Sequence, residues 1–222
     1  GGGGDFPRNV MMSPLSGTEE EYFDVLPYAE AAADYLMNFI NAEKMPRKLK
    51  VGFSNGPANV SHATFRDLGF AARPDGLFDV YSAGGLGANP KFGVKVAEGI
   101  NPDQVLYYIR AMWETFRAYG NYENRAKART RYMQETLGQD GYRKAFLEKL
   151  EGVYQSGEDL TIEMNENGIT KTGDGSLAEG QWISQQKQPG LYRCHYYPIG
   201  GSIKPYKFRE IYDIIREQIY KR

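Results

Sequence analysis

The sequence predicts an α+β fold, a mixed sheet flanked by helices. Segments in which apolar residues alternate, as in strands, are interspersed with segments in which they recur with helical period. Hydrophobic residues make up 41% and charged residues 25% of the 222 positions, which is typical of a globular protein. The apolar runs are far shorter than the roughly 20 residues of a membrane span. We therefore expect a folded protein without a membrane partner.

A helix over about 19–42 is the first predicted element. Thr18 and Glu21 have the spacing of a capping box, and apolar residues with helical period follow them. Pro27 lies inside this segment, so we expect a kink or a restart of the helix there.

A strand is predicted over 47–53, because apolar and basic residues alternate along it. Leu49 and Val51 belong to the face that we expect to be buried. Lys48 and Lys50 then share the opposite face, about 7 Å apart along the strand. This pair of cations is the most specific local signal in the sequence.

Segments 67–72 and 77–82 flank a turn that contains proline, aspartate and glycine, so we predict an antiparallel hairpin. The glycine loop that follows, Gly84–Gly87, lacks the spacing of a nucleotide-binding motif. It is either a tight turn or bare backbone beside a ligand, and the sequence leaves both interpretations open.

Three helices are predicted next. Asn101 caps the first, which continues to about Tyr119. A second is predicted over 121–137 and ends at Gly138, and a short third covers roughly 142–150.

Glycines become frequent beyond residue 150, and we predict a domain boundary there, which gives domains 1–150 and 151–222. The second domain contains a strand over 191–197 and a helix from about Pro205 to the end, with an apolar stripe that includes Ile219. A lone strand and helix cannot bury this stripe, so we expect an incomplete domain.

The charge and cysteine content of the sequence exclude several classes of function. The net charge is −1 and the isoelectric point is about 6.2, so nothing suggests bulk attraction to nucleic acid or anionic lipid. Cys194 is the only cysteine, which excludes an internal disulfide and a multi-cysteine metal site made by this chain alone. We predict no metal site and, without a recognisable secretory signal, a cytoplasmic location.

Basic side chains form three groups that are candidates for ligand binding. They are Arg8, then Arg47 with Lys48 and Lys50, then Arg125, Arg129 and Arg131 on the predicted helix 121–137. Taken alone, each group is better explained as solvated surface charge. Together they suit a polyanion, because arginine pairs bidentately with carboxylates and lysine offers a compact charge that can donate a proton.

Five motifs occur in order along the chain: Arg8-Asn9-Val10, Met45–Lys50, Phe65–Phe70, Gly84–Gly87 and Gly120–Tyr132. These motifs resemble those of the ferredoxin-type nitrite and sulfite reductases, and they cover residues 5 to about 137. The segment near 190–222 resembles the start of that family's second ferredoxin-like half-domain.

The resemblance implies two cofactors, the carboxylate-rich macrocycle sirohaem and a 4Fe–4S cluster bridged to it by a cysteine. It implies six-electron reduction of nitrite to ammonia or of sulfite to sulfide, with an electron donor such as ferredoxin or a flavoprotein. Domain 1–150 would then bind sirohaem, and 151–222 would be a linker and an incomplete ferredoxin-like half-domain.

The resemblance also implies a site. Arg8, Lys48 and Lys50 match residues that bind the substrate anion and supply protons. The implied cofactor-binding residues are Arg8, Asn9, Arg47, Lys48, Lys50, Gly84, Gly85, Asn121, Arg129 and Arg131. The family's cluster cysteines lie beyond the segment represented here, so we expect a fragment without turnover of its own.

An alternative from another class is a non-catalytic polyanion-binding module that holds RNA phosphates with the arginines of helix 121–137. The isoelectric point of about 6.2 argues against it, because nucleic-acid-binding domains usually have values above about 9. We therefore predict no nucleic acid partner.

Overall fold

The computed structural model describes residues 4–40, 42, 44–163, 172–173, 176 and 179–216. The chain divides into two compact units. Unit 1 comprises Gly1–Gly17 and Glu21–Asn165, and unit 2 comprises Thr18–Glu20 and Glu166–Arg222. None of the described helices combines the length and the apolar composition needed to cross a bilayer.

A four-stranded mixed sheet lies at the centre of unit 1. Its strands, in spatial order, are β1 (Val51–Ser54), β2 (Leu68–Ala72), β3 (Phe78–Ser82) and β4 (Val94–Ile100). β1 and β2 are parallel, whereas β3 is antiparallel to both of its neighbours. The predicted hairpin is confirmed, with Leu68 opposite Ser82 and Ala72 opposite Phe78.

The N-terminal segment lies along β1 and extends the sheet. The Arg8 N–H donates to the Leu49 carbonyl at 2.8 Å. Further along, the Met11 N–H donates to Val51 at 3.0 Å, and the Phe53 N–H donates back to Met11 at 2.7 Å. This pairing brings Arg8 beside the segment that carries the two predicted lysines.

Three helices pack with the sheet around one core. They are α1 (Leu26–Met37), α2 (Val105–Tyr119) and α3 (Met133–Gln155). The largest buried side chains of this core include Phe53, Phe70, Trp113, Phe116, Tyr142 and Phe146. The predicted mixed sheet flanked by helices is therefore confirmed.

Unit 1 extends past residue 150, where the sequence predicts a boundary. Leu160 is buried in the same core, and the Ile162 N–H donates to the Asp103 carbonyl at 2.9 Å. The segment after α3 thus packs back onto unit 1 and completes its core.

The first helix is shorter than predicted. It begins at Leu26 rather than near residue 19, and Pro27 occupies its first turn, where proline is favoured because that N–H has no helical partner. The Glu21 carboxylate does not cap this helix; it accepts a hydrogen bond from the Gly17 N–H at 2.6 Å. Pro27 therefore marks the start of α1 and not a kink within it.

The helix predicted over 121–137 is wrong. Two short 3₁₀ turns, Arg125–Lys127 and Thr130–Tyr132, precede α3. The Asn121 side chain accepts a hydrogen bond from the Asn124 N–H at 2.7 Å. Asparagine side chains that bond to nearby backbone compete with helix formation, which explains the irregular path.

The predicted break at Gly138 is present, but the helix resumes directly after it. Gly138 has φ 72° and ψ 168°, which are not helical angles. Residues on either side belong to α3, so the predicted short helix 142–150 is the later part of a longer element that ends at Gln155.

Unit 2 contains an antiparallel strand pair and a helix. β5 (Ile183–Gln185) pairs with β6 (Tyr192–Cys194), and α4 (Pro205–Ile215) begins at the predicted proline. No residue of α4 is buried, and Ile214 is 79% exposed. Ile219, the last member of the predicted stripe, lies outside the described residues.

Candidate functional site

One face of the segment that leads into β1 is basic. Lys48 and Lys50 alternate with fully buried apolar residues, and Gly52 is the next position on their face. A Cβ on Gly52 would lie 3.1 Å from Cγ of Arg66, so the Arg66 side chain crosses the strand over this glycine. The Arg66 Nε–H donates to the Ser61 carbonyl at 2.7 Å, which fixes the guanidinium near the lysines' face.

Four basic side chains from three separate segments act electrostatically on Lys48. Partial burial lowers the pKa of the Lys48 ammonium, and the positive charges of Arg129, Lys50, Arg8 and Arg47 lower it further. Each of these charges is therefore near enough to disfavour the protonated lysine. We call Arg8, Arg47, Lys48, Lys50 and Arg129 the cation cluster.

A buried carboxylate contacts two members of the cation cluster. The Asp67 side chain is fully buried, and the Nη2 atom of Arg129 lies 3.2 Å from its Oδ1. The backbone N–H of Lys50 donates to Oδ2 at 2.8 Å. The Thr130 hydroxyl also donates to Oδ1. Asp67 thus connects the lysine segment to the turn that carries Arg129.

Gly84 and Gly85 have different surroundings. A Cβ on Gly84 would lie 2.6 Å from the Phe65 Cα, so backbone packing requires glycine there, as the tight-turn interpretation expects. A Cβ on Gly85 would lie 3.4 Å from Nη1 of Arg131 and 3.8 Å from Nη2 of Arg129. Of the two glycines, Gly85 is the one that faces cations.

Arg129 lines two cavities. The inner cavity, of about 150 Å³, is lined by Lys50, Phe65, Arg66, Asp67, Gly85, Leu86 and Arg129. The outer cavity, of about 340 Å³, is lined by Tyr119, Asn121, Lys127, Arg129, Tyr132, Met133, Glu135 and Thr136. Pockets for whole organic ligands usually measure about 300–1,000 Å³, so the inner cavity has room for one carboxylate or small oxyanion rather than a macrocycle.

The two arginines beside Gly85 each carry a buried guanidinium N–H group that is unpaired among the described residues. Within the described part of the chain, Arg129 Nε and Arg131 Nε are buried and have no hydrogen-bond partner. Arg131 is only 6% exposed and lies against Gly85. An unpaired buried donor costs about 1–3 kcal/mol, so these groups fit a site that receives an anion.

The remaining predicted residues do not line the inner cavity. The Arg8 guanidinium donates to the Gly4 carbonyl at 2.7 Å, and Arg47 forms an ion pair with Asp5 at 3.1 Å. Asn9 is exposed. Asn121 is also exposed and contributes to the outer cavity.

Sequence reasoning missed Arg66, Asp67 and Thr130 as parts of the site. Gly52 was an available signal for Arg66, because glycine inside a strand often marks the close approach of another group. Asp67 directly precedes the buried strand β2, and a carboxylate buried there needs paired donors. Which donors it would meet depends on chain segments far away in sequence.

The arginines at 125, 129 and 131 do not lie on the regular helix that the sequence predicts. Arg125 pairs with Asp5 at 2.7 Å, whereas Arg131 is buried. The regular basic helix on which the RNA-binding alternative depends is therefore replaced by two 3₁₀ turns. Nothing in the described structure favours that alternative.

Comparison with known proteins decides the family. The family model described as "Nitrite and sulphite reductase 4Fe-4S domain" matches residues 3–153. The chain belongs to the nitrite and sulphite reductase family. The resemblance carried by the five motifs is thereby confirmed, and the matched residues include the whole cation cluster.

Relatives within the nitrite and sulphite reductase family are much longer than this chain. Sulfite reductase (ferredoxin) 1 of Mycolicibacterium paratuberculosis is 33% identical over 147 residues, which is 64% of this chain and 26% of the relative. The sulfite reductase (NADPH) hemoprotein beta-component of Thiocapsa roseopersicina is 28% identical over 176 residues, 64% of this chain and 31% of the relative. The chain therefore spans about a quarter to a third of these relatives.

A solved member of similar fold supports the architecture over nearly the whole chain. The structure of Mycobacterium tuberculosis NirA protein superposes with a TM-score of 0.70 and 25% sequence identity. The match covers 96% of this chain and 38% of NirA. This agrees with the expected fold class, including the partial ferredoxin-like half-domain.

The residues present do not fit the 4Fe–4S cluster that the family's description names. Cys194 is the only cysteine of the sequence. Among the described residues there is also no group of three or more His, Cys, Asp or Glu side chains placed to hold a metal ion. The cations and unpaired donors described above do fit the carboxylates of sirohaem.

Proposed function

We propose that this chain is the sirohaem-holding part of a reductase that converts sulfite to sulfide or nitrite to ammonia. The observation that supports it best is the cation cluster, in which Lys50 and Arg129 line one cavity and both contact Asp67. Unpaired buried guanidinium N–H groups lie beside it. Such a set suits a ligand with many carboxylates, and family membership supplies the specific cofactor.

The positions of these residues suggest which part of the ligand each one contacts. Arg129 and Arg131 present buried donors near Gly85, so we assign carboxylates of sirohaem to them. Further contacts to the cofactor are assigned to Asn9, Arg47, Gly84 and Asn121. Arg8, Lys48 and Lys50 are assigned to the small oxyanion as well as to the cofactor.

Lys48 is suited to donating a proton. Burial and four neighbouring cations lower its pKa, so its ammonium releases a proton more readily than a free lysine does. The same cations stabilise negative charge that grows on an oxygen of the bound anion. The electron chemistry belongs to the cofactor when it is bound.

Sulfite is the substrate to test first, because the relatives named above are sulfite reductases. The donor is inferred to be a ferredoxin or a flavoprotein, since the relatives' names include ferredoxin and NADPH. A single cysteine cannot ligate the cluster through several thiolates, so we expect no turnover by this chain alone. Sulfide production from sulfite by the sirohaem-loaded chain, with a reduced viologen as donor, would contradict that expectation.

Binding of sirohaem by the purified chain tests the proposal directly. Titration followed by visible absorption should show saturable binding. Lys50→Gln should weaken it about tenfold or more, because a hydrogen bond to a charged group contributes about 1.5–3 kcal/mol. Lys144→Gln removes the same charge from an 80% exposed side chain and should leave affinity unchanged. A folded wild-type chain that shows no saturable binding would overturn the proposal.

A further inference from the structure

We propose that Asp67 is a positioning residue of this site, which orients Lys50 and Arg129 so that both act on the same anion. The inference rests on the proposed function, because it concerns how the cation cluster holds its ligand. It adds a negatively charged residue to a site otherwise described by its cations.

Both oxygens of the Asp67 carboxylate have donors. Oδ1 accepts from the Thr130 hydroxyl and from Arg129 Nη2 at 3.2 Å. Oδ2 accepts the Lys50 N–H at 2.8 Å and lies 3.5 Å from Arg129 Nη2. One fully buried side chain therefore joins segments near residues 50, 67 and 130.

The main chain of Asp67 also holds the start of the glycine loop. Its carbonyl accepts from the Ala83 N–H at 2.9 Å and from the Ser82 hydroxyl at 3.3 Å. The Thr130 hydroxyl lies 3.4 Å from the Gly84 carbonyl. The backbone that faces the cations is thus tied to the same residue.

These contacts determine which donors of Arg129 remain for a ligand. A guanidinium is planar, so fixing Nη2 against Asp67 fixes the direction of every other N–H. Arg129 Nε is buried and, within the described residues, unpaired. Lys50 precedes β1, and the bond from its N–H to Asp67 sets the backbone from which its ammonium extends.

Positioning and simple electrostatics predict opposite effects when the charge of Asp67 is removed. Asp67 lines the inner cavity, so its negative charge by itself disfavours an anion there. Removal of that charge would strengthen anion binding if Coulomb attraction alone mattered. If Asp67 acts by holding Arg129 and Lys50, its removal weakens binding instead.

The test uses Asp67→Asn in the full chain with uroporphyrin, a tetrapyrrole with many carboxylates, as a fluorescent probe. An amide has only one acceptor oxygen, so the donors at one of the two former oxygen positions of Asp67 would face an N–H group instead. Affinity should fall about fivefold or more at constant ionic strength. Asp140→Asn removes an equal charge from a 99% exposed side chain that lines neither cavity, and it should leave affinity unchanged. An Asp67→Asn affinity equal to or above wild type would overturn the inference.

A double-mutant cycle separates positioning from a general loss of structure. In an Arg129→Gln background, Asp67→Asn should change the affinity for uroporphyrin by a clearly smaller factor than it does in wild type, because the guanidinium that Asp67 positions is absent. A purely structural role would lower the thermal midpoint and reduce affinity by the same factor in both backgrounds. Equal factors would therefore refute positioning through Arg129.

Thr130→Val provides the test if Asp67→Asn does not fold. It removes only the hydroxyl that donates to the carboxylate, so affinity should fall in the same direction by a smaller factor. An unchanged affinity would overturn the inference. The proposed function and this inference fail in distinguishable ways. If a folded wild-type chain binds neither sirohaem nor uroporphyrin, both are overturned. If wild type binds and Asp67→Asn binds equally well, only this inference is overturned.

Discussion

Lys48 is the residue at which the electrostatics of the site can be measured. The chain's net charge is −1, yet four cations act on this one ammonium. Local placement, and not overall composition, therefore creates the positive field. An anion bound among these side chains would relieve their mutual repulsion.

The pKa of Lys48 should lie below 10.5 and should rise in Arg129→Gln, because that variant removes the strongest of the four charge repulsions on the ammonium. NMR titration of the lysine ε-groups measures both values, with Lys48→Gln for assignment. Lys144→Gln, on an exposed part of α3, should leave the Lys48 pKa unchanged. A wild-type value at or above 10.5 would contradict the convergence of the cation cluster.

Asp5 should stabilise the N-terminal segment in a pH-dependent way. Its hydrogen bond with Arg125, together with Arg47, holds its pKa below 3.8. The stabilisation is therefore complete above pH 3.8 and disappears as the pH falls through the lower, folded-state pKa. Asp5→Asn should cost roughly 0.5 kcal/mol of unfolding free energy near pH 6, a value typical of partly exposed ion pairs.

Urea unfolding of wild type and Asp5→Asn at several pH values measures that difference. The difference in unfolding free energy between the two proteins should shrink as the pH falls below 3.8. Asp140→Asn, at a fully solvated carboxylate, should show no comparable effect. A gap that widens on acidification would contradict the assignment.

At the scale of elements, α3 shows how one residue interrupts a helix that its neighbours favour. Gly138 has a backbone conformation that L-residues rarely adopt, while Gly152 lies in regular helix with open space where a Cβ would be. Substitution of alanine at these two positions should therefore change the free energy of unfolding in opposite directions.

Gly152→Ala should raise the unfolding free energy by about 0.5–1 kcal/mol, because alanine loses less backbone entropy in a helix. Gly138→Ala should lower it by about 1–3 kcal/mol, because the positive φ strains a side chain. Urea midpoints at unchanged m-value measure both effects. Stabilisation by Gly138→Ala would show that the interruption of α3 is not enforced.

At the scale of the whole molecule, the hydrophobic core belongs to unit 1. Every buried member of the core cluster lies at or before Leu160, and α4 of unit 2 buries none of its residues. The cation cluster also lies within unit 1. Folding and anion binding should therefore be properties of this unit.

A chain ending at residue 165 should keep the main thermal transition within about 3 °C of the full chain, which corresponds to about 1 kcal/mol for a protein of this size. It should also bind uroporphyrin with the affinity of the full chain. Differential scanning calorimetry and the fluorescence titration measure these properties. Loss of a cooperative transition would show that unit 2 is needed for the core.

Elements governed by local patterns were predictable from the sequence. The hairpin of β2 and β3 followed from its turn residues, and the burial of Leu49 and Val51 followed from alternation. The helix over 121–137 was not predictable, because asparagine side chains there bond to nearby backbone and divert the chain. A pattern of apolar residues with helical period contains no information about such side-chain hydrogen bonds to the backbone.

The sequence by itself determined which residues carry positive charge, the alternation of Lys48 and Lys50 with buried Leu49 and Val51, and the family to which the motifs belong. Tertiary structure decided that Arg8 and Arg129 join them, and that Asp67 lies buried between Lys50 and Arg129. The physical reason is the range of the interactions. Periodicity and turn chemistry act between near neighbours in sequence, whereas charge convergence and the pairing of a buried carboxylate depend on segments that only the folded chain brings together.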